Sequence, residues 1–86
     1  MTGSERRRFV VSALEQANVL AIRTHPARAA FLDGAADIEF SDLAMDSLAR
    51  MELCIFIEVN ARIEITPDQL NGISSLAGLE KMLAGR

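Results

Sequence analysis

The chain is 86 residues long, half of them hydrophobic, with no Trp or Tyr and a net charge of −3. That makes one small domain with a mostly aliphatic core, and a charged fraction of 24% excludes a disordered polyelectrolyte. A single Cys and a single His exclude an internal disulfide and argue against structural zinc, and no run of about 18 apolar residues is there to span a membrane.

Thr2 and Glu5 have capping-box spacing, and Phe9, Ala13, Leu14 and Ala17 recur behind them at helical intervals. This predicts a first helix over residues 4–18, with Val10 and Val11 widening its apolar side. Arg6-Arg7-Arg8 is expected to be a solvated helix start. No long apolar segment follows it, so a secretory signal is not expected and a reducing cytoplasm is. From about Ala21 to Met45 the periodicity breaks, with turn signals at His25-Pro26 and Asp33-Gly34. Ile22, Phe31, Leu32, Ile38 and Phe40 are apolar, so this long connection must lie against the core. Residues 26–32, PARAAFL, suit a short helical turn within it. An ordered connection above about 20 residues is unusual in a small domain and tends to carry function.

Asp46 reads as the N-cap of a second helix over 47–60. Thr66-Pro67-Asp68-Gln69 is the clearest local signal: Thr caps, Pro takes the first helical position and Gln completes a capping box. The short third helix it opens ends near Asn71-Gly72. Ser74 or Ser75 caps a fourth helix with a Leu76, Leu79, Met82 and Leu83 stripe, and Gly85 suits its end. No strand pattern appears. The expected fold is all-α: a small four-helix bundle with a long first loop and a short third helix, forming one free-standing domain over 1–86.

The second helix is too apolar for one buried face. Nine of residues 47–60 are hydrophobic. At about 100° per residue, Ala49, Leu53, Phe56 and Ile57 form a core side. Leu48, Met51, Ile55 and Val59 form another stripe roughly opposite, mixed with Glu52 and Glu58. A domain this small has few elements to cover both sides, so part of the second stripe is expected to stay exposed as a contact surface. Charge is uneven as well. Residues 1–30 hold five Arg and two Glu, and residues 31–86 hold ten acids against four bases, so +3 precedes −6. The acidic body argues against nucleic acid as a partner.

Ser47, beside this stripe, has three possible chemistries. A nucleophile needs a base. The only His is His25, expected to be a solvent-facing loop residue, and no G-x-S-x-G turn surrounds Ser47. As a cap it needs no further function. As an attachment point for a phosphate ester it sits where a helix N-terminus favours negative charge, with Asp46 slightly opposing.

Residues 40–53, FSDLAMDSLARMEL, resemble the signature of acyl and peptidyl carrier proteins. That signature is usually written L-G-x-D-S-L with a V-E-L-like triplet after it. Leu43-Ala44-Met45-Asp46-Ser47-Leu48 matches the first part and Met51-Glu52-Leu53 the second. ARIEITPDQL and ISSLAGLEKML resemble the family's later segments, so the likeness covers about residues 38–83. It implies that Ser47 carries 4′-phosphopantetheine, transferred from coenzyme A by a separate Mg²⁺-dependent phosphopantetheinyl transferase. The arm's thiol would hold an acyl or aminoacyl thioester for acyl-loading, condensing and modifying enzymes, and the carrier, a monomer, would catalyse nothing. The partner interface implied is Asp46, Leu48, Met51, Glu52, Ile55 and Glu58.

Three residues depart from the pattern. Ala44 replaces the usual Gly, so the turn before Asp46 is not expected to need positive φ there. Ala49 and Arg50 make the second helix less acidic than in fatty-acid carriers, which turns the expected setting toward a polyketide, specialised-lipid or peptide-like product. Ala61 stands where an aromatic is common. Cys54 is expected to be a half-buried apolar residue. Ile57, Leu70 and Ile73 are candidates to line a cargo cleft. The rival expectation is an unmodified helical module that docks a protein through the second helix.

Overall fold

The computed structural model describes residues 1–85. Within them the chain is all-helical, with an isolated bridge between Glu39 and Ser75 as the only extended pairing. There are six α-helices: α1 (Gly3–Gln16), α2 (Leu20–Arg23), α3 (Arg28–Leu32), α4 (Ser47–Ala61), α5 (Pro67–Asn71) and α6 (Leu76–Ala84). A 3₁₀ turn at Phe40–Leu43 precedes α4. The four helices read from the sequence are α1, α4, α5 and α6. The other two lie inside the long connection, where α3 falls within PARAAFL and α2 was not anticipated.

The helix starts follow the local chemistry. Thr2 Oγ1 accepts the Glu5 N–H at 3.1 Å while Glu5 Oε1 accepts the Thr2 N–H at 3.0 Å, a closed capping box. Thr66 and Gln69 repeat it at α5. Ser75, of the two candidates, caps α6 through the Gly78 N–H. α1 ends two residues earlier than its periodicity suggests. Asn18 turns left-handed at φ 61°, the Val19 N–H reaches Leu14 O and the Asn18 N–H reaches Glu15 O. This is a Schellman stop, with Val19 and Leu14 both buried as its apolar contact.

α1 is the hub and packs against α2, α3, α4 and α6, while α5 packs on α4. Val10, Val11, Ala13 and Leu14 of α1 meet Leu53 and Ile57 of α4 and Leu76, Leu79 and Leu83 of α6 in one core. No polar side chain among the described residues is fully buried in it. Ile22, Phe31, Ile38 and Phe40 join it, so the long connection does lie against the core.

The arginine triplet is not a solvated start. Arg6 Nε meets Glu80 Oε1 at 2.8 Å, tying α1 to α6. Arg7 Nε donates to Leu32 O at 3.1 Å, satisfying a carbonyl at the end of α3. Only Arg8 is exposed. The reason is geometric: consecutive residues on a helix point about 100° apart, so Arg6 and Arg7 reach different neighbours, which a local charge count does not reveal.

Candidate functional site

Ser47 is the first residue of α4, and the segment before it is held at both ends. Phe40 and Leu43 bury their side chains and fix the 3₁₀ turn. Upstream, the connection is clamped to the start of α6. The Phe40 N–H donates to Ser74 O, the Leu76 N–H to Ile38 O, and Asp37 Oδ1 accepts both the Ile38 N–H (2.7 Å) and the Ala77 N–H (2.9 Å). Asp37 thus caps a helix 40 positions away in sequence. Partial burial works to raise its carboxyl, but bonds from the Ser75 side chain, Ala77 and Ile38 outweigh this and hold it below the usual range.

Ala44 then reverses the chain at φ 49°, ψ 43°. The expectation that this turn needs no positive φ is therefore wrong. The 3₁₀ turn must reverse within one residue to bring Asp46 onto the α4 axis, and Ala takes the left-handed conformation that Gly would adopt at little cost.

Asp46 is the cap, its Oδ1 accepting the Ala49 N–H at 2.8 Å. Ser47 therefore has no capping duty and lies exposed at the helix start. The N–H groups of Ser47 and Leu48 stand in the first turn, where a helix has no acceptors of its own. His25 is not the free loop residue expected. It is half-buried, its Nδ1 accepts the Ala27 N–H at 3.0 Å, and its Nε2 faces Asp42 Oδ2 at 3.7 Å. Both ring nitrogens are directed at groups other than Ser47, because Pro26 folds the backbone back onto the ring.

The outward stripe of α4 is exposed: Leu48 by 63%, Met51 by 52%, Ile55 by 53% and Val59 by 70%. Asp46 and Glu58 are exposed beside it, while Glu52 is half-buried. Leu20 of α2, 70% exposed, adds an apolar side chain near the Ser47 end that helical periodicity did not flag. The signal was the apolar run Val19-Leu20-Ala21-Ile22 directly after a helix stop, in which Val19 and Ile22 are buried and Leu20 faces outward. A cleft of about 380 Å³ opens between residues 17–21 and the start of α4, lined there by Leu43–Asp46, Leu48, Ala49 and Glu52.

Cys54 is more deeply buried than expected, and burial pushes its thiol above the ordinary value. Ile57 and Leu70 are closed into the core, and Ile73 is half-buried. No cluster of His, Cys, Asp and Glu suited to a metal occurs among the described residues, and none of their helices is long and apolar enough to cross a membrane. Comparison with family models, curated proteins and solved structures returned no match for this chain.

Proposed function

We propose that this chain is an acyl or peptidyl carrier whose Ser47 holds 4′-phosphopantetheine, in a polyketide, specialised-lipid or peptide-like pathway. The observation that carries the reading is that Asp46 caps α4 while the hydroxyl next to it stands exposed and unused. The residues suit the group. A phosphodiester on Ser47 would sit at the positive end of a 15-residue helix, beside two first-turn N–H groups. Asp46 offsets part of that attraction. In the transfer, Ser47 Oγ forms the new P–O bond and the diphosphate bond of coenzyme A breaks. Adenosine bisphosphate leaves, and the hydroxyl proton passes to a base on the Mg²⁺-dependent transferase.

The arm supplies a thiol for thioester cargo, so the carrier itself needs no catalytic residue. α1, α4, α5 and α6 are the four helices of a carrier bundle in this reading, with the clamped connection presenting Ser47. Asp46, Leu48, Met51, Ile55 and Glu58 form the surface that the transferase and the loading, condensing and modifying enzymes grip. Glu52, turned toward the cleft, forms its edge.

Incubation with a phosphopantetheinyl transferase, Mg²⁺ and coenzyme A is expected to raise the intact mass by one arm. No rise, or an equal rise in Ser47→Ala, refutes the proposal. The exposed α4 stripe also suits an unmodified docking module. That reading gains if protein from its native host carries an unmodified Ser47 within a stable protein complex.

A further inference from the structure

His25 stands at the corner between α2 and α3, and its two ring nitrogens serve two different elements. Its side chain is 17% exposed. Nδ1 accepts the N–H of Ala27, the N-cap residue of α3, at 3.0 Å. Together with the bond from the Arg28 N–H to His25 O at 3.1 Å, this turns the chain into α3. Nε2 faces Asp42 Oδ2 at 3.7 Å, in the 3₁₀ turn that leads through the Ala44 reversal to Ser47. The first bond fixes the place of the proton. A ring nitrogen that accepts carries no hydrogen, so the neutral ring bears its proton on Nε2, toward Asp42.

The two contacts favour opposite charge states. A protonated imidazole donates from both nitrogens and has no acceptor left for Ala27. The Asp42 carboxylate favours the cation. At 3.7 Å, Nε2 is within ion-pair range of Asp42 but beyond hydrogen-bond length, so the ring is seated for Ala27 and stands off from the acid. The charged residues around the corner have other partners. Arg23 of α2 and Arg28 of α3 flank His25 along the chain, and both turn to Glu15 of α1, at 3.7 and 3.5 Å. Glu39, ahead of the 3₁₀ turn, accepts the Ser41 hydroxyl at 3.4 Å. Asp42 is the acid that meets the ring.

We propose that His25 is a proton-operated switch between the start of α3 and the 3₁₀ turn before Ser47. Neutral, it holds Ala27. When it takes a proton from solvent, the ring releases the Ala27 N–H, swings toward Asp42 and closes the 3.7 Å gap to a charge-assisted hydrogen bond. A single protonation thus loosens the start of α3 and draws in the segment that presents Ser47. The switch stands whether or not Ser47 carries an arm.

The test follows the protein by NMR between about pH 5 and 8, the range in which histidine changes charge. At the upper end the His25 ring is expected to show the Nε2–H form with Nδ1 bare. As pH falls, the Ala27 amide is expected to shift in step with the ring signals and to lose hydrogen-exchange protection several-fold. Amides of residues 40–46 are expected to follow with the same midpoint, and the core amides of Val10 and Leu79 to stay. His25→Asn keeps an acceptor at the Nδ1 position and cannot titrate, so Ala27 is expected to hold its high-pH signal throughout. His25→Gln keeps a donor reaching toward Asp42 without an acceptor for Ala27, and is expected to show the low-pH signal throughout. In Asp42→Asn, Ala27 is expected to follow pH while residues 40–46 no longer do. An Nδ1–H ring at high pH, an Ala27 amide indifferent to the ring's titration, or residues 40–46 that respond equally in Asp42→Asn overturns the proposal.

Discussion

Ala44 does a glycine's work with an alanine side chain. A left-handed backbone costs an L-residue roughly 1–2 kcal/mol, while glycine's extra freedom in the unfolded chain returns part of that. Ala44→Gly is therefore expected to stabilise the protein by about 0.5–1 kcal/mol, read from the midpoint of urea unfolding. A neutral or destabilising result shows that the Ala44 methyl makes contacts worth as much as its strain. Asn18 and Arg62 are left-handed too, at φ 61° and 56°. Asn tolerates this region better than Ala or Arg, so Asn18 is the least strained of the three. At the same scale, Ser47 and Asp46 divide two duties that their adjacent positions leave ambiguous. The Asp46 carboxylate reaches the Ala49 N–H and so takes the cap, which leaves the serine hydroxyl available.

Among the elements, the segment between α3 and α4 has few hydrogen bonds of its own and takes its shape from α6. Asp37 is the main tie, accepting the N–H of its own neighbour Ile38 and that of Ala77 in the first turn of α6. Asp37→Ala is expected to cost about 1 kcal/mol of stability at neutral pH, the usual cost of a lost cap. The pH dependence has a definite sign. The folded carboxyl is held below its ordinary value, so its contribution is complete above about pH 4 and is lost as pH falls through the lower folded value. Urea titrations of wild type and variant are expected to differ by a constant amount at higher pH and to converge below about pH 4. A gap that persists undiminished at low pH would mean that Asp37 acts by packing. Because the clamp sets the approach to Ser47, the variant is also expected to broaden the amide signals of residues 40–46.

For the whole molecule, α4 has two opposed tasks, and one substitution on each side separates them. Leu53 is fully buried in the core, on the helix that packs against α1 and α5, and truncation of such a leucine costs about 2–5 kcal/mol. A domain of this size has only about 4–13 kcal/mol in total, so Leu53→Ala removes a large share of it. Met51, two positions earlier, is half exposed. Met51→Glu is expected to change unfolding by no more than about 0.5 kcal/mol. On the proposed carrier reading it is expected to lower the rate of arm transfer to Ser47, since a charge placed in an exposed apolar patch is costly to desolvate when a partner covers it. Calorimetry and a transfer assay on the two variants give opposite results if the faces are assigned correctly. Loss of stability in Met51→Glu would place that stripe in the fold instead.

Much of this protein is determined by neighbours in sequence. The capping boxes at Thr2 and Thr66, the Asp46 cap and the two-sided apolarity of α4 all depend on groups within about four residues of one another, and each stands where its local chemistry puts it. What only the tertiary structure decided depends on distant partners. Arg6 and Arg7 are docked because Glu80 and the Leu32 carbonyl come to them, and His25 is held by a fold-back and by Asp42. Ala44 is left-handed because a loop anchored at α6 must turn there, and the cleft exists because the α1 stop carries residues 17–21 alongside the start of α4. A linear pattern records what a residue prefers, whereas these features arise from which surfaces the folded chain brings together.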